Sequence, residues 1–122
     1  MTEVDPRPAN DEPAIGPGQV EFVDLGDGRF EVRGDLTFRT AGIALEESKE
    51  LFSDHSMLEI DLAGVRRADS AGLALLLEWV NWAKNYVREI RFRNVPDEIL
   101  SMAQISEVDD MLSKGERWTG VI

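Results

Sequence analysis

The spacing of apolar residues changes along the chain between two periods, and these periods predict the order of its secondary-structure elements. From Val20 onward, apolar and polar side chains alternate on both sides of a glycine-containing turn at residues 25–28, which predicts a β-hairpin. After Thr40, apolar residues recur every three or four positions up to Phe52, which is typical of one face of a helix. The same patterns then predict a strand at 57–62 ended by Ala63-Gly64, a helix at about 70–87, a strand at 89–93, a helix at about 97–105 and a short helix at 107–114.

The predicted order is therefore β-β-α-β-α-β-α, with a further short helix at the end. Strands that alternate with helices after an opening hairpin indicate an α/β domain in which helices pack on a mixed β-sheet.

The first 18 residues differ from the rest of the chain in composition. They contain four of the five prolines together with glycines and acidic residues. Such a stretch buries too little apolar surface to offset the entropy lost on ordering. We predict a flexible, acidic, Pro-rich tail at residues 1–18 and a single domain at residues 19–122.

The apolar runs indicate neither a secretory signal nor a membrane span. The N-terminus is acidic and is not followed by an apolar stretch, whereas a signal needs a basic start and such a stretch. The longest apolar run, from Ala71 to Leu77, is far shorter than the ~20 residues that cross a bilayer. We expect a cytoplasmic protein without direct membrane insertion.

Charge and composition exclude several kinds of ligand. The 122 residues carry a formal charge of −11, so the chain would gain no counterion release from nucleic acid, and we expect no nucleic-acid partner. Without cysteine and with a single histidine, His55, we expect no metal site and no cofactor. The charge is uneven: residues 1–65 hold 15 acidic and 5 basic residues, whereas residues 66–122 hold 9 and 8. A nearly neutral half suits a surface that is desolvated against a protein.

Asp69 and Ser70 stand at the predicted start of the longest helix. Both side chains can accept hydrogen bonds from the free N–H groups of a first turn, and the same N–H groups would favour a phosphate on Ser70. Gly72 leaves the first turn without a Cβ, so another group can approach the backbone closely. Two interpretations remain open, a purely structural N-cap and a regulatory site.

The sequence Asp69-Ser70-Ala71-Gly72-Leu73, placed after the strand Leu58-Glu59-Ile60-Asp61-Leu62, resembles the signature of STAS domains. These domains form anti-sigma-factor antagonists and the cytoplasmic domains of sulfate transporters. In the antagonists, the serine of this motif is phosphorylated by a partner kinase, which here would be Ser70. The resemblance covers about residues 19–112 and implies the STAS fold.

The continuation from Gly72 to Leu77, followed by Ala83-Lys84, is similar to one branch of this family, the small STAS subunit of the bacterial Mla phospholipid transporter. That resemblance implies a non-catalytic subunit that binds the ATPase of an ABC transporter with an integral permease. The transporter moves phospholipid between the inner and outer membranes and maintains lipid asymmetry, and this chain would associate with the inner membrane through its partner. The alternative is an anti-sigma-factor antagonist regulated by phosphorylation of Ser70, with a kinase or anti-sigma factor as partner.

The long helix carries more apolar surface than one sheet contact requires. One stripe, from Leu73 to Val87, should pack on the sheet. A second stripe would be covered either by the helix at 97–105 or by a protein partner, and aromatic residues favour the partner because they are enriched at interface centres. We predict that Ser70 and this stripe contribute to one continuous contact with an ATPase. The members of the stripe are Leu75, Trp79, Trp82 and Tyr86.

Two loop arginines, Arg66 and Arg67, precede Ser70 and are predicted to contact a phosphate or an acidic group of the partner. The alternative is that both are solvated loop residues. A third class of function, a small enzyme, lacks support because a serine hydroxyl needs an adjacent base, and His55 lies on a different element. We therefore predict that the protein is not an enzyme.

Overall fold

The predicted hairpin forms one edge of a four-stranded sheet. The computed structural model describes residues 15–113. Strand β1 (Val20–Gly26) pairs antiparallel with β2 (Arg29–Leu36), β2 pairs parallel with β3 (Met57–Ala68), and β3 pairs parallel with β4 (Glu89–Arg93). The spatial order is β1-β2-β3-β4, so the sheet is mixed, as predicted.

Four helices complete the described part of the chain: α1 (Ala41–Phe52), α2 (Ser70–Asn85), α3 (Asp97–Ile105) and α4 (Asp110–Ser113). The predicted order of elements is confirmed. Helix α2 is central, because it contacts the other three helices as well as β3 and β4. Among residues 15–113, no helix has both the length and the apolar character needed to cross a bilayer.

The core lies between the helices and one face of the sheet. Alternate residues of β2, β3 and β4, such as Val32, Ile60 and Ile90, point into it, while their neighbours Glu59 and Arg91 lie on the other face of the sheet. The bulkiest fully buried side chains are Trp79, Phe30 and Phe52. The helices therefore pack on one face of the sheet, which leaves the other face polar.

Strand β3 is longer than predicted, because it continues through Ala63 and Gly64 to Ala68. At Gly64 the neighbouring strand approaches so closely that a Cβ would lie 2.8 Å from Cγ of Arg33. The missing side chain lets β3 remain beside β2 through an irregular register. This extension carries the chain directly to Asp69.

The last helix starts at Asp110, later than the predicted residue 107. Glu107 has a φ of 62°, and the N–H of Val108 donates to the carbonyl of Ala103, so this segment ends α3. The predicted end of the last helix near Lys114, and Trp118, lie outside the described residues.

Residues 15–18, which the composition assigned to the tail, are bound to the domain. The N–H of Gly18 donates to Oδ2 of Asp35 (2.8 Å), and the guanidinium of Arg66 donates to the carbonyls of Ile15 and Gly16. The rest of the predicted tail, residues 1–14, lies outside the described residues.

Candidate functional site at the carboxyl ends of β2 and β3

The motif that carries Ser70 lies where two neighbouring parallel strands end. Leu36 and Ala68, the last residues of β2 and β3, are paired in the sheet. Because the strands are parallel, the loops that follow them meet at one edge, where α/β proteins commonly bind ligands. A cavity of about 580 Å³ lies at this edge. Its lining residues are Pro17, Gly18, Asp35, Thr37, Phe38, Arg39, Arg67, Ala68 and Asp69.

Asp69 connects the two loops. It has an extended backbone, and its Oδ1 accepts a hydrogen bond from the N–H of Ala71 (2.8 Å), the geometry of an N-cap. Its second oxygen, Oδ2, accepts from the N–H of Phe38 (3.1 Å), and its own N–H donates to the carbonyl of Leu36 (3.2 Å). Asp69 is therefore the structural cap of α2 and also fixes the β2–α1 loop (residues 37–40) against it.

Gly72 is required by packing within the chain. A Cβ at this position would lie 2.5 Å from the carbonyl oxygen of Leu36. The sequence suggested that Gly72 leaves room for another group to approach the helix, and the group that does so is the end of β2. Gly72 is thus a position where α2 touches the sheet.

Ser70 is the first residue of α2 and is exposed. Within residues 15–113 its hydroxyl makes no hydrogen bond, since the capping contact is made by Asp69 instead. The hydroxyl therefore stands free at the positive end of the helix dipole, where a negative group is favoured. This arrangement leaves Ser70 open to contact or modification.

The β2–α1 loop is held firmly but presents an apolar side chain to solvent. The buried Thr40 donates through Oγ1 to the carbonyl of Asp35 (2.7 Å) and accepts from the N–H of Thr37 (3.0 Å). Phe38 is nevertheless 77% exposed, and Arg39 beside it is exposed as well. Neither residue was predicted, although an aromatic residue in a short loop between a strand and a helix was a usable signal.

The two predicted arginines have different roles. Arg66 donates to Gly16 (2.9 Å) as well as to Ile15, and its guanidinium lies 3.5 Å from the carboxylate of the buried Asp35. It therefore binds the start of the domain, and its side chain remains 48% exposed. Arg67 is exposed and lines the cavity next to Asp69.

The prediction that Leu75 and Trp79 belong to an exposed partner surface on α2 is wrong. Both side chains are buried, and Trp79 is only 1% exposed. Helix α1 covers Trp79: the Trp79 indole N–H donates to Oγ of Ser48 (2.8 Å), and its ring packs against Phe52. Trp79 is part of the core because α1 lies alongside α2, and Leu75 belongs to the same buried cluster.

Trp82 and Tyr86 lie at the other end of α2 from Ser70. The half-buried Trp82 packs against Tyr86, with the guanidinium of Arg88 5.3 Å from the Trp82 ring centre, and Tyr86 is 61% exposed. Sixteen helical residues place Tyr86 about 24 Å from Ser70 along the axis. The structure therefore does not bring Ser70 and this aromatic pair into one continuous surface.

The site offers no obvious means of activating Ser70. His55 lies just before β3, whereas Ser70 follows it, so the strand of 12 residues separates them by more than about 30 Å. Within residues 15–113, no group of three or more acidic, histidine or cysteine side chains is arranged to hold a metal ion. We call the residues at this edge the Phe38–Ser70 surface and define it by Phe38, Arg39, Arg67, Asp69 and Ser70.

The mixed sheet, the helices on one face and the Asp-Ser turn after β3 define a STAS domain. The family model described as "Mlab, STAS domain" matches residues 23–113, and the chain belongs to this family. Domains of this kind are typically non-catalytic and regulatory. No curated protein sequence matches the chain.

Solved structures that share the fold include the following three. The anti-sigma factor antagonist SpoIIAA in its unphosphorylated form is 11% identical, with a TM-score of 0.55 over 73% of this chain and 82% of the other. A sulfate transporter family protein from Wolinella succinogenes is 17% identical, with a TM-score of 0.57 over 77% of each chain. A protein named Mglu is 23% identical, with a TM-score of 0.51 over 72% of this chain and 22% of the other. At these identities, the similarity concerns the fold alone.

Proposed function

We propose that this chain is a non-catalytic subunit that binds and regulates the ATPase of an ABC transporter. The transporter moves phospholipid between the inner and outer membranes, and it contains an integral permease. The chain would lie in the cytoplasm and associate with the inner membrane through the ATPase. The observation that carries this proposal is an exposed aromatic side chain, Phe38, on a firmly held loop beside Ser70, in a domain of the Mlab STAS family.

The Phe38–Ser70 surface has the composition of a protein-binding site. An exposed aromatic residue can fill a pocket on a partner, and such a residue contributes ~2 kcal/mol or more at an interface centre. Arg39 and Arg67 flank it, and charges at the rim of an interface steer association and fix orientation. The hydrogen bonds to Asp69 and Thr40 hold the loop in place, which lowers the entropy lost on binding.

Affinity capture from native cells with the tagged full-length chain tests this function. We expect to recover an ATPase together with an integral permease. The proposal would be contradicted if a histidine-kinase-like anti-sigma factor were recovered and no ATPase. A matched Phe38→Ala chain should recover much less ATPase, whereas Ile105→Ala, an 84% exposed apolar residue outside the cavity lining, should recover as much as the natural chain.

A second function, an anti-sigma-factor antagonist switched by phosphorylation, is favoured by the free hydroxyl of Ser70 at the start of α2. A phosphate there would meet the positive end of the helix dipole. Incubation with ATP and candidate kinases, followed by intact-mass measurement, distinguishes the two functions. A phosphorylated form that is absent from Ser70→Ala would support the antagonist, and none under conditions that modify a control antagonist would argue against it.

A further inference from the structure

The chain enters the domain beside the cavity at the Phe38–Ser70 surface. Arg66 holds the carbonyls of Ile15 and Gly16, and the N–H of Gly18 is bound to Asp35. Pro17 and Gly18 line the cavity itself. Ile15, where the described part of the chain begins, is therefore two residues away from a residue that lines the cavity.

Positive charge is available in this cavity, although the chain as a whole is acidic. Its two carboxylates, Asp35 and Asp69, already accept hydrogen bonds from backbone N–H groups, and Asp35 also faces Arg66. Arg39 and Arg67 form no ion pair with any of residues 15–113. Arg39 is also close to the entering chain, since a Cβ at Gly18 would lie 3.7 Å from its Cδ.

Residues 1–14 carry the opposite charge. They contain four acidic residues and one basic residue, Arg7. Two of the acidic residues, Asp11 and Glu12, precede Ile15 by four and three positions, so an extended chain would carry them at most about 14 Å from it. Arg39 and Arg67 line the same cavity as Pro17 and Gly18, which follow Ile15 by two and three positions.

We propose that residues 1–14 bind in this cavity and place the carboxylates of Asp11 and Glu12 against Arg39 and Arg67. The segment would then cover part of the Phe38–Ser70 surface, and a partner would have to displace it. That this contact would regulate partner binding rests on the function proposed above. The contact within the chain does not depend on that function.

A spin label on the full-length chain tests the contact. The protein has no cysteine, so Ala9→Cys carries a single nitroxide. At low salt we expect strong paramagnetic broadening of the amide signals of Phe38, Arg39 and Arg67. The matched control adds Asp11→Asn and Glu12→Gln, which keep the length and shape of the segment but remove its charge near the domain. In this control, and in Arg39→Gln with Arg67→Gln, the broadening should be much weaker, because only the attachment at Ile15 then keeps the label near the cavity.

Broadening that is equal in the charged and neutral segments would overturn the proposal, since it would reflect only the attachment at Ile15. Broadening centred on another surface would overturn it as well, for example on the groove between α1 and α2 that Leu45, Lys49 and Trp82 line. Circular dichroism melting of each variant checks that the fold is retained, which we expect because Arg39 and Arg67 are exposed.

Titration with inorganic phosphate tests whether the cavity is filled by residues 1–14 or is open to a free anion. If the segment fills the cavity, phosphate should shift the Arg39 and Arg67 signals more in the neutral-segment variant than in the natural chain. Equal shifts in both would show that the cavity is open and would contradict the proposal. These measurements use the isolated protein and need no ATPase. A negative result here would therefore not contradict the proposed function, and a failure to capture an ATPase would not contradict the contact within the chain.

Discussion

Oδ2 of Asp69 accepts a hydrogen bond of 3.1 Å from the backbone N–H of Phe38, 31 residues earlier in the chain. The same carboxylate caps α2 through the N–H of Ala71. One side chain therefore fixes both the start of the central helix and the loop that presents Phe38. The stability of the domain and the shape of its candidate partner surface depend on the same residue.

Two substitutions of Asp69 should lower the free energy of unfolding by different amounts. Asp69→Ala removes both hydrogen bonds and should decrease the free energy of unfolding by about 2 kcal/mol, whereas Asp69→Asn keeps one acceptor oxygen and should cost about 1 kcal/mol. Urea unfolding measures both changes. Glu47→Ala, at an exposed position of α1, is the control and should stay within ~0.5 kcal/mol of the natural chain. An unfolding free energy of Asp69→Asn equal to that of the natural chain would show that the second hydrogen bond of the carboxylate contributes nothing.

Alanine should have opposite effects at two helical glycines. At Gly72 the new Cβ would lie 2.5 Å from the carbonyl oxygen of Leu36, so Gly72→Ala should destabilise the domain by about 1–3 kcal/mol despite the higher helix propensity of alanine. At Gly42 in α1 nothing lies within 4 Å of the new Cβ, so Gly42→Ala should stabilise it by up to about 1 kcal/mol. Thermal or urea unfolding compares the two. A gain in stability at both positions would contradict the close contact between α2 and β2.

The hydrogen bond between Trp79 and Ser48 should couple α2 to α1. Ser48→Ala leaves the buried indole N–H without its acceptor and should cost about 1–3 kcal/mol. In the Trp79→Phe background the donor is already absent, so the same change should cost about 1 kcal/mol less. A double-mutant cycle in urea measures this difference. Additive effects would mean that the two side chains do not interact, and they would reopen the question of whether Trp79 faces a partner.

A glycine at Val87 should stabilise the end of α2. Val87 has a φ of 57°, which is unfavourable for a β-branched residue, and its side chain is exposed. The following N–H, of Arg88, donates to the carbonyl of Ala83 (2.8 Å), so this position ends the helix. Val87→Gly should gain up to about 1 kcal/mol, since glycine removes the strain but increases the entropy of the unfolded chain.

The control for Val87→Gly is Asn85→Gly, inside the last turn of α2, which should lower stability because glycine is a poor helix former. Differential scanning calorimetry of both variants checks the two signs. A lower melting temperature for Val87→Gly would contradict the left-handed conformation at this position.

The sequence predicted local features of the fold well because they depend on local periodicity. Helix α1, strand β4 and helix α3 begin and end at the predicted residues, and the turn between β1 and β2 falls at Asp27 and Gly28, both with positive φ. Such positions are determined by residues close in sequence. The end of β3 was not predicted correctly. The strand continues past Gly64 because it pairs with β2, and this pairing cannot be read from the residues around Gly64.

Only those residues of the candidate site that belong to a local sequence pattern could be predicted. Ser70 and Asp69 stand out because a helix start has its own sequence pattern, and the structure places both there. The assignment of Trp79 to a surface failed because the periodicity of one helix does not show which element covers each side, and here α1 covers it. Phe38 and Arg39 were missed because their proximity to Ser70 depends on the pairing of β2 with β3.

Titration calorimetry of the captured ATPase against the natural chain, Phe38→Ala and Ile105→Ala tests most directly whether the Phe38–Ser70 surface binds the transporter. A loss of ~2 kcal/mol at a central aromatic residue corresponds to about 30-fold weaker binding, and we predict this result for Phe38→Ala with an unchanged dissociation constant for Ile105→Ala. Unfolding by urea should be the same for all three proteins, since both side chains are exposed. Undiminished affinity of a folded Phe38→Ala would contradict the assignment of this surface to the partner.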